Sequence, residues 1–356
     1  MFVVLSAHAQ EDFNYDVNND GDVNVTDVML IVEKVLGVNK ETTKKRPIII
    51  EVSERPLVYP TAARTGLRRA PAFTTSSLKS FYFNIMYKNQ ANSWMCSETT
   101  ETFQTVDGKY ENNGNWPAND PGTLPAHVFA FKTSNKASFD YNSGNPYLDI
   151  STEISSSAQC DVLVAKTDAK YNACLGKVSL AFDHVCAALQ FSVKKTSSLA
   201  AYDVEVNEIV LHNVKKSGRY MLLKETDQWT EVTEPSNFSQ SAYLSGVPDA
   251  ITINEEETLL AKDANDYLFL IPQEIIGMDK GTPINEADQS QKAYLEIKCK
   301  IYDKNNEDYK VGGSRDYGSV YLPFSTNLTE GAGHVHPFVI SIGTAIRDAN
   351  GNKIIN

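Results

Sequence analysis

The sequence predicts an all-β fold, two tandem sandwich domains with a short loop–helix module in front of them. Three observations carry this reading. From residue 78 onward, short apolar or alternating runs recur at residues 81–87, 127–131, 161–165, 178–182, 189–193, 208–211, 267–271, 294–302 and 338–342. They are rich in β-branched and aromatic side chains and are punctuated by Gly, Asn, Asp, Ser and Pro, which is how short sheet-forming strands read. No long stretch of helical periodicity separates them, so βαβ units and a dinucleotide-binding fold are excluded. The 356 residues suit two domains, and 42% hydrophobic residues suffice to bury real cores.

A net charge of −12, with no basic run longer than Lys44-Lys45-Arg46, excludes a nucleic-acid surface and disfavours an anionic membrane. Met1-Phe2-Val3-Val4-Leu5 is short and apolar, and Ala7-His8-Ala9 before Gln10 reads as a cleavage site. Residues 1–9 are thus expected to be a signal peptide whose beginning is missing, which implies secretion.

Residues 16–27 read Asp-Val-Asn-Asn-Asp-Gly-Asp-Val-Asn-Val-Thr-Asp. Asp16, Asn18, Asp20, Asn24 and Asp27 fall at loop positions 1, 3, 5, 9 and 12. Gly21 takes position 6, where the backbone turns with positive φ. That spacing brings oxygens together around one Ca2+, with Asp22 contributing through its main-chain carbonyl. Apolar residues at 28, 31, 32, 35 and 36 then form one helical stripe that stops at Gly37. A loop followed by a single helix resembles one half of a type I dockerin, so residues 10–38 are expected to form a dockerin-like calcium module. The resemblance implies a cohesin-like partner, although the second repeat of a dockerin is missing.

Residues 39–73 are polar and rich in Thr, Arg and Pro, with one β-prone run at 47–52. They read as a linker or pro-segment. Thr65-Gly66-Leu67-Arg68-Arg69-Ala70-Pro71 is a small-residue, dibasic stretch of the kind proteases reach in exposed loops.

The segments Gln159-Cys160-Asp161-Val162-Leu163-Val164-Ala165 and Gly176-Lys177-Val178-Ser179-Leu180-Ala181-Phe182-Asp183-His184-Val185 resemble the central signature of the fimbrillins, the pilus subunits and pilus-like surface proteins of Bacteroidetes. Trp116-Pro117, Tyr267-Leu268-Phe269-Leu270-Ile271-Pro272-Gln273, Tyr294-Leu295-Glu296-Ile297 and the closing stretch from Gly333 to Ile342 fit the same family in the same order. The resemblance covers roughly residues 74–345. It implies two transthyretin-like sandwiches, at 74–172 and 173–356. It also implies a precursor cut by a trypsin-like protease after Arg68 or Arg69, with Arg64 a weaker site, removing a strand around residues 48–58. Another subunit then supplies a replacement strand. The donor expected here is the C-terminal hairpin, with Phe338, Ile340 and Ile342 on one arm and Ile354 and Ile355 on the other, joined through Asn350-Gly351. Most family members carry a lipidated Cys after the signal peptide. Here Gln10 follows Ala9 and the nearest Cys is Cys96, so the given sequence does not match the family's lipidation pattern and leaves lipid anchoring in doubt unless the true start differs.

Other candidate sites have simpler explanations. His184 at a strand end reads as a structural hydrogen-bonding group, and His334 with His336 as an incomplete metal pair. Glu255-Glu256-Glu257 reads as a solvated turn, and the five widely spaced cysteines as small core residues. No catalytic constellation is present, and no enzyme activity is expected. The expected function is a secreted fimbrillin-like structural or adhesive protein at the cell surface, in a fimbrium or at the outer membrane. Its partners would be other fimbrillin-like subunits and a host or bacterial surface ligand. The alternative is a calcium-dependent, dockerin-like scaffold-binding protein whose sandwiches hold a surface ligand or glycan.

Overall fold

β-Branched and aromatic residues in short alternating runs make strand the dominant structure of the described residues, as expected. The structure is a computed structural model and describes residues 46–58, 78–133, 137–142, 144–153, 161–226, 228–241, 243–244, 247–260, 267–306 and 308–355. The expected signal peptide and the calcium loop with its helix lie outside these residues, as do Arg64, Arg68 and Arg69.

The first assembly of strands closes on itself. Its order is Ser80–Lys88, Thr100–Gln104, Tyr110–Asn115, Pro47–Glu54, Lys177–His184, Leu163–Ala169 and Ala126–Lys132, which pairs back onto Ser80–Lys88. Trp94–Cys96 adds a short strand that pairs with Met86 to Lys88 at the end of Ser80–Lys88. Inward-facing residues fill the ring, among them Phe81, Phe83, Trp116, Leu180 and Phe182, each under 2% exposed. The indole N–H of Trp116 donates to the Asp120 carboxylate, which allows so large a polar-tipped side chain to be buried.

The remaining strands form a two-layer sandwich. One layer is built on Tyr202–Met221, a strand of 20 residues. It pairs antiparallel with Trp229–Ser241, Asn145–Ser151 and Tyr294–Asp303. The other layer centres on Ala187–Lys195, which runs antiparallel to Leu268–Leu270 and parallel to Val335–Ile342. Leu189, Phe191, Val206, Leu211, Ile297 and Ile340 meet between the layers. Cys299 belongs to the same core, and burial pushes its thiol up to about 12. A further cluster joins the ring to the sandwich: Met86, Phe129 and Phe131 pack with Leu148, Ile150 and Tyr220. The described residues from Ile48 onward accordingly form one compact unit.

Polar clamps hold irregular points of this frame. The long strand slips register between Leu211 and Val214, where Asn213 has φ +62°. The Gln273 side chain reaches across to Lys215, accepting from its N–H at 2.8 Å and donating to its carbonyl at 2.8 Å. One amide side chain thereby does the work of a neighbouring strand. His212 stacks on Tyr294 at 4.4 Å and its Nε2 lies 2.8 Å from Glu296, whose carboxyl is held below its ordinary value first by that hydrogen bond. At the C-terminus, the Gly351 N–H donates to the Asp348 carbonyl in a β-turn. Gly351 has φ +81°, and a Cβ there would lie 2.1 Å from the Gly281 carbonyl oxygen, so no larger residue fits.

Replacing Gln273 by the similarly sized Leu leaves the Lys215 N–H and C=O without these partners. About 1–3 kcal/mol of stability is expected to be lost, read as a lower urea midpoint at unchanged slope.

Candidate functional site

Pro47–Glu54 is the only strand of the ring that comes from the segment ahead of residue 78, among the described residues. Ile48-Ile49-Ile50-Glu51-Val52 favours an extended backbone, and Pro47 stands at its first position, where a missing N–H is tolerated. Pro56 lies just past the run and has no N–H with which to continue the ladder.

This leader strand runs parallel to Lys177–His184, with Ile49 opposite Lys177 and Glu54 opposite Phe182. Hydrogen bonds from the Ile49 N–H to the Gly176 carbonyl and from the Arg55 N–H to the Phe182 carbonyl, both 2.9 Å, bracket the pairing. Ile48 and Ile50 point into the ring and Val52 packs against the same cluster, while Ile49, Glu51 and Ser53 face outward. Burying Ile48 and Ile50 contributes about 1.5–3 kcal/mol each.

The outward face carries two charged contacts. The Lys177 ammonium is 2.8 Å from Glu51, and the Ser179 hydroxyl donates to the same carboxylate at 3.2 Å. The Lys177 hydrogen bond, chiefly, holds the Glu51 carboxyl below its ordinary value. Four residues on, the Arg55 guanidinium lies 3.1 Å from Asp183.

The leader then crosses to the sandwich. Leu57 packs on Ala188, Tyr267 and Val335. Val58 bridges the start of the last strand, donating to the Gly333 carbonyl at 2.8 Å and accepting from the Val335 N–H at 2.8 Å. Residues 48–58 therefore complete the ring and tie it to the sandwich. Beneath Arg55, Pro56 and Val58 is a cavity of about 260 Å3, which Tyr220, Gly333 and His184 also line. His184 is buried and bonded through Nδ1 to the buried Asp161 carboxylate, whose own proton affinity burial raises. This is the structural hydrogen bond expected of His184.

The donor candidates lie elsewhere. Phe338, Ile340 and Ile342 project from Val335–Ile342 into the sandwich core, and Ile354 and Ile355 pack on that same core. All five thus support their own chain in this structure. His334 Nδ1 is 2.8 Å from the Ala332 carbonyl, and burial lowers the proton affinity of His336. Among the described residues, no group of three His, Cys, Asp or Glu is placed to hold a metal.

The sequence pattern locates the leader, but not its partners. Lys177, Ser179 and Asp183 pair with it across 126 to 128 positions of chain. No local signal points to them; only the ring's topology brings them together.

The profile of the fimbrillin-like family matches residues 72–335. No curated protein sequence matches the chain. Among solved structures, a fimbrial protein from Bacteroides vulgatus is similar at 13% identity and a TM-score of 0.49, over 84% of this chain and 96% of that one. A candidate cell adhesion protein from Parabacteroides distasonis is similar at 9% identity and a TM-score of 0.46, over 85% and 90% of the two chains. Another from Bacteroides ovatus gives 13% and 0.43, over 84% and 93%.

Two neighbouring substitutions separate the faces of the leader. Ile50→Asp places a carboxylate in the ring and is expected to cost about 3 kcal/mol or more. Ile49→Asp, at a side chain 53% exposed, is expected to stay within about 0.5 kcal/mol. Chemical denaturation of both variants measures the difference.

Proposed function

The chain belongs to the fimbrillin-like family, and on that premise we propose that it is a secreted structural or adhesive subunit of the cell surface that assembles by strand exchange. The observation that carries this reading is the leader strand. It completes the ring from outside the body of the fold, through Ile48 and Ile50 and a parallel pairing, and it is joined to that body by a segment rich in cleavable bonds. Between residues 55 and 78 the trypsin-type sites are Arg64, Arg68 and Arg69, because Pro56 blocks cleavage after Arg55. A cut after Arg68 or Arg69 severs the leader from the ring while leaving every other strand attached.

Loss of the leader would leave Lys177–His184 and Tyr110–Asn115 with unpaired backbone groups beside an apolar slot. A strand from another subunit satisfies both at once. Val335–Ile342 is the natural donor arm, since it alternates in the same way as the leader and already pairs in parallel within its own sandwich. The role is structural, with other fimbrillin-like subunits as partners and a fimbrium or the outer surface as its place.

A second reading rests on the oxygen spacing of residues 16–27. There Asp16, Asn18, Asp20, Asn24 and Asp27, with the Asp22 carbonyl, bind Ca2+ and dock a scaffold partner through the adjoining helix. Trimming at Arg68 or Arg69 would discard that module, so it would serve the precursor.

Limited trypsin treatment of the full chain is expected to cut after Arg68 or Arg69 and to yield higher oligomers on a non-denaturing column. The triple variant Arg64→Gln, Arg68→Gln, Arg69→Gln, which lacks every trypsin-type site of this segment, is expected to remain monomeric, and a clean cut of the unaltered chain that leaves a stable monomer would contradict assembly by exchange. Calcium titration of the untrimmed chain by calorimetry is expected to show one site, weakened at least about tenfold by Asp16→Ala with Asp27→Ala because two of its oxygen ligands are removed.

A further inference from the structure

The outward face of the leader carries a charge pattern as well as an apolar one. Glu51 is held by Lys177 and Ser179, and Arg55 by Asp183, so the strand Lys177–His184 presents a cation near its start and an anion at its end. In a parallel pairing these two charges lie along one edge of the slot. They favour an incoming strand with an acid first and a base four residues later, and they penalise the reverse.

The chain's own arm does not fit this pattern. When Phe338, Ile340 and Ile342 take the inward positions of Ile48, Ile50 and Val52, the outward positions fall on Val339, Ser341, Gly343, Ala345 and Arg347. Sliding the arm by two residues keeps the same outward set. Arg347 can then reach the Arg55 position, but no register places a carboxylate beside Lys177. The other arm of the hairpin, Lys353-Ile354-Ile355, offers no acid in either phase.

We propose that the slot left by the leader selects a strand from a different subunit, one carrying a carboxylate at the Glu51 position and a cation at the Arg55 position, in preference to the strand of a second copy. Lys177, Ser179 and Asp183 are the residues that set this preference. The proposal rests on the strand-exchange reading above, and it ranks donors for this slot without barring a second copy from it.

The test uses the full chain trimmed with trypsin and fluorescently labelled peptides whose uptake is followed by anisotropy. One peptide has the sequence of residues 47–58, a second carries Glu51→Lys with Arg55→Glu, and a third has the sequence of residues 336–347. For exposed ion pairs, the leader peptide is expected to bind roughly 3- to 30-fold more tightly than its charge-reversed form. The 336–347 peptide is expected to bind more weakly than the leader peptide. Trimmed protein carrying Lys177→Glu with Asp183→Lys is expected to reverse the order of the first two; both side chains face solvent, so the ring's packing is not disturbed. Equal uptake of all three peptides, or tighter uptake of 336–347, overturns the charge preference and leaves strand exchange standing. Failure of every peptide to enter overturns both.

Discussion

A closed ring of strands has no edge, and this one is closed by a strand that arrives from outside the body of the fold. Every backbone N–H and C=O in a buried ladder needs a partner, and every inward side chain needs neighbours. While residues 47–54 are seated, the ring meets both demands. Were they to leave, two strands would present unpaired edges on either side of an apolar slot, which is the condition that drives strand addition between chains. The packing of Ile48 and Ile50, the crossing at Leu57 and Val58 and the ion pairs of Glu51 and Arg55 all concern how well that one position is filled.

The body of the fold is held by contacts in which the leader takes no part. The cluster of Met86, Phe129 and Phe131 against Leu148, Ile150 and Tyr220 holds ring and sandwich together independently of the leader. The buried His184–Asp161 pair pins the end of Lys177–His184, the strand that the leader abuts. If these contacts keep the walls in place without the leader, the slot would be pre-organised for a new strand and the ordering cost on entry would fall mainly on the newcomer. Val335–Ile342 supports its own sandwich through Ile340 and Ile342, so donation by this arm must release those contacts or extend beyond them.

Much of this architecture was legible in the sequence because it is written locally. Alternation in residues 81–87, 189–193 and 294–302 marks strands, and Ile48-Ile49-Ile50-Glu51-Val52 marks the leader. Tyr294, Glu296, Gln273 and Trp116, residues that carried the family resemblance, turn out to be clamps: a stacking ring, a carboxylate on His212, an amide that substitutes for a strand, and a buried indole bonded to Asp120. What could not be read is long-range pairing. That the leader runs parallel to Lys177–His184, that the ring closes through Ser80–Lys88, and that Asp183 faces Arg55 depend on contacts far apart in the chain, for which a single sequence carries no periodic signal. The calcium loop is the opposite case: its spacing is explicit, and it lies outside the described residues.

The most direct test of the exchangeable strand is hydrogen exchange on the trimmed chain, compared before cleavage, as a leader-free monomer, and after assembly. The account predicts that amides in Tyr110–Asn115 and Lys177–His184 lose protection in the monomer and regain it in the oligomer, while those in Tyr202–Met221 stay protected throughout. Unchanged protection of Tyr110–Asn115 and Lys177–His184 after the leader has gone would contradict it, because the ring would then close without the strand on which assembly is argued to depend.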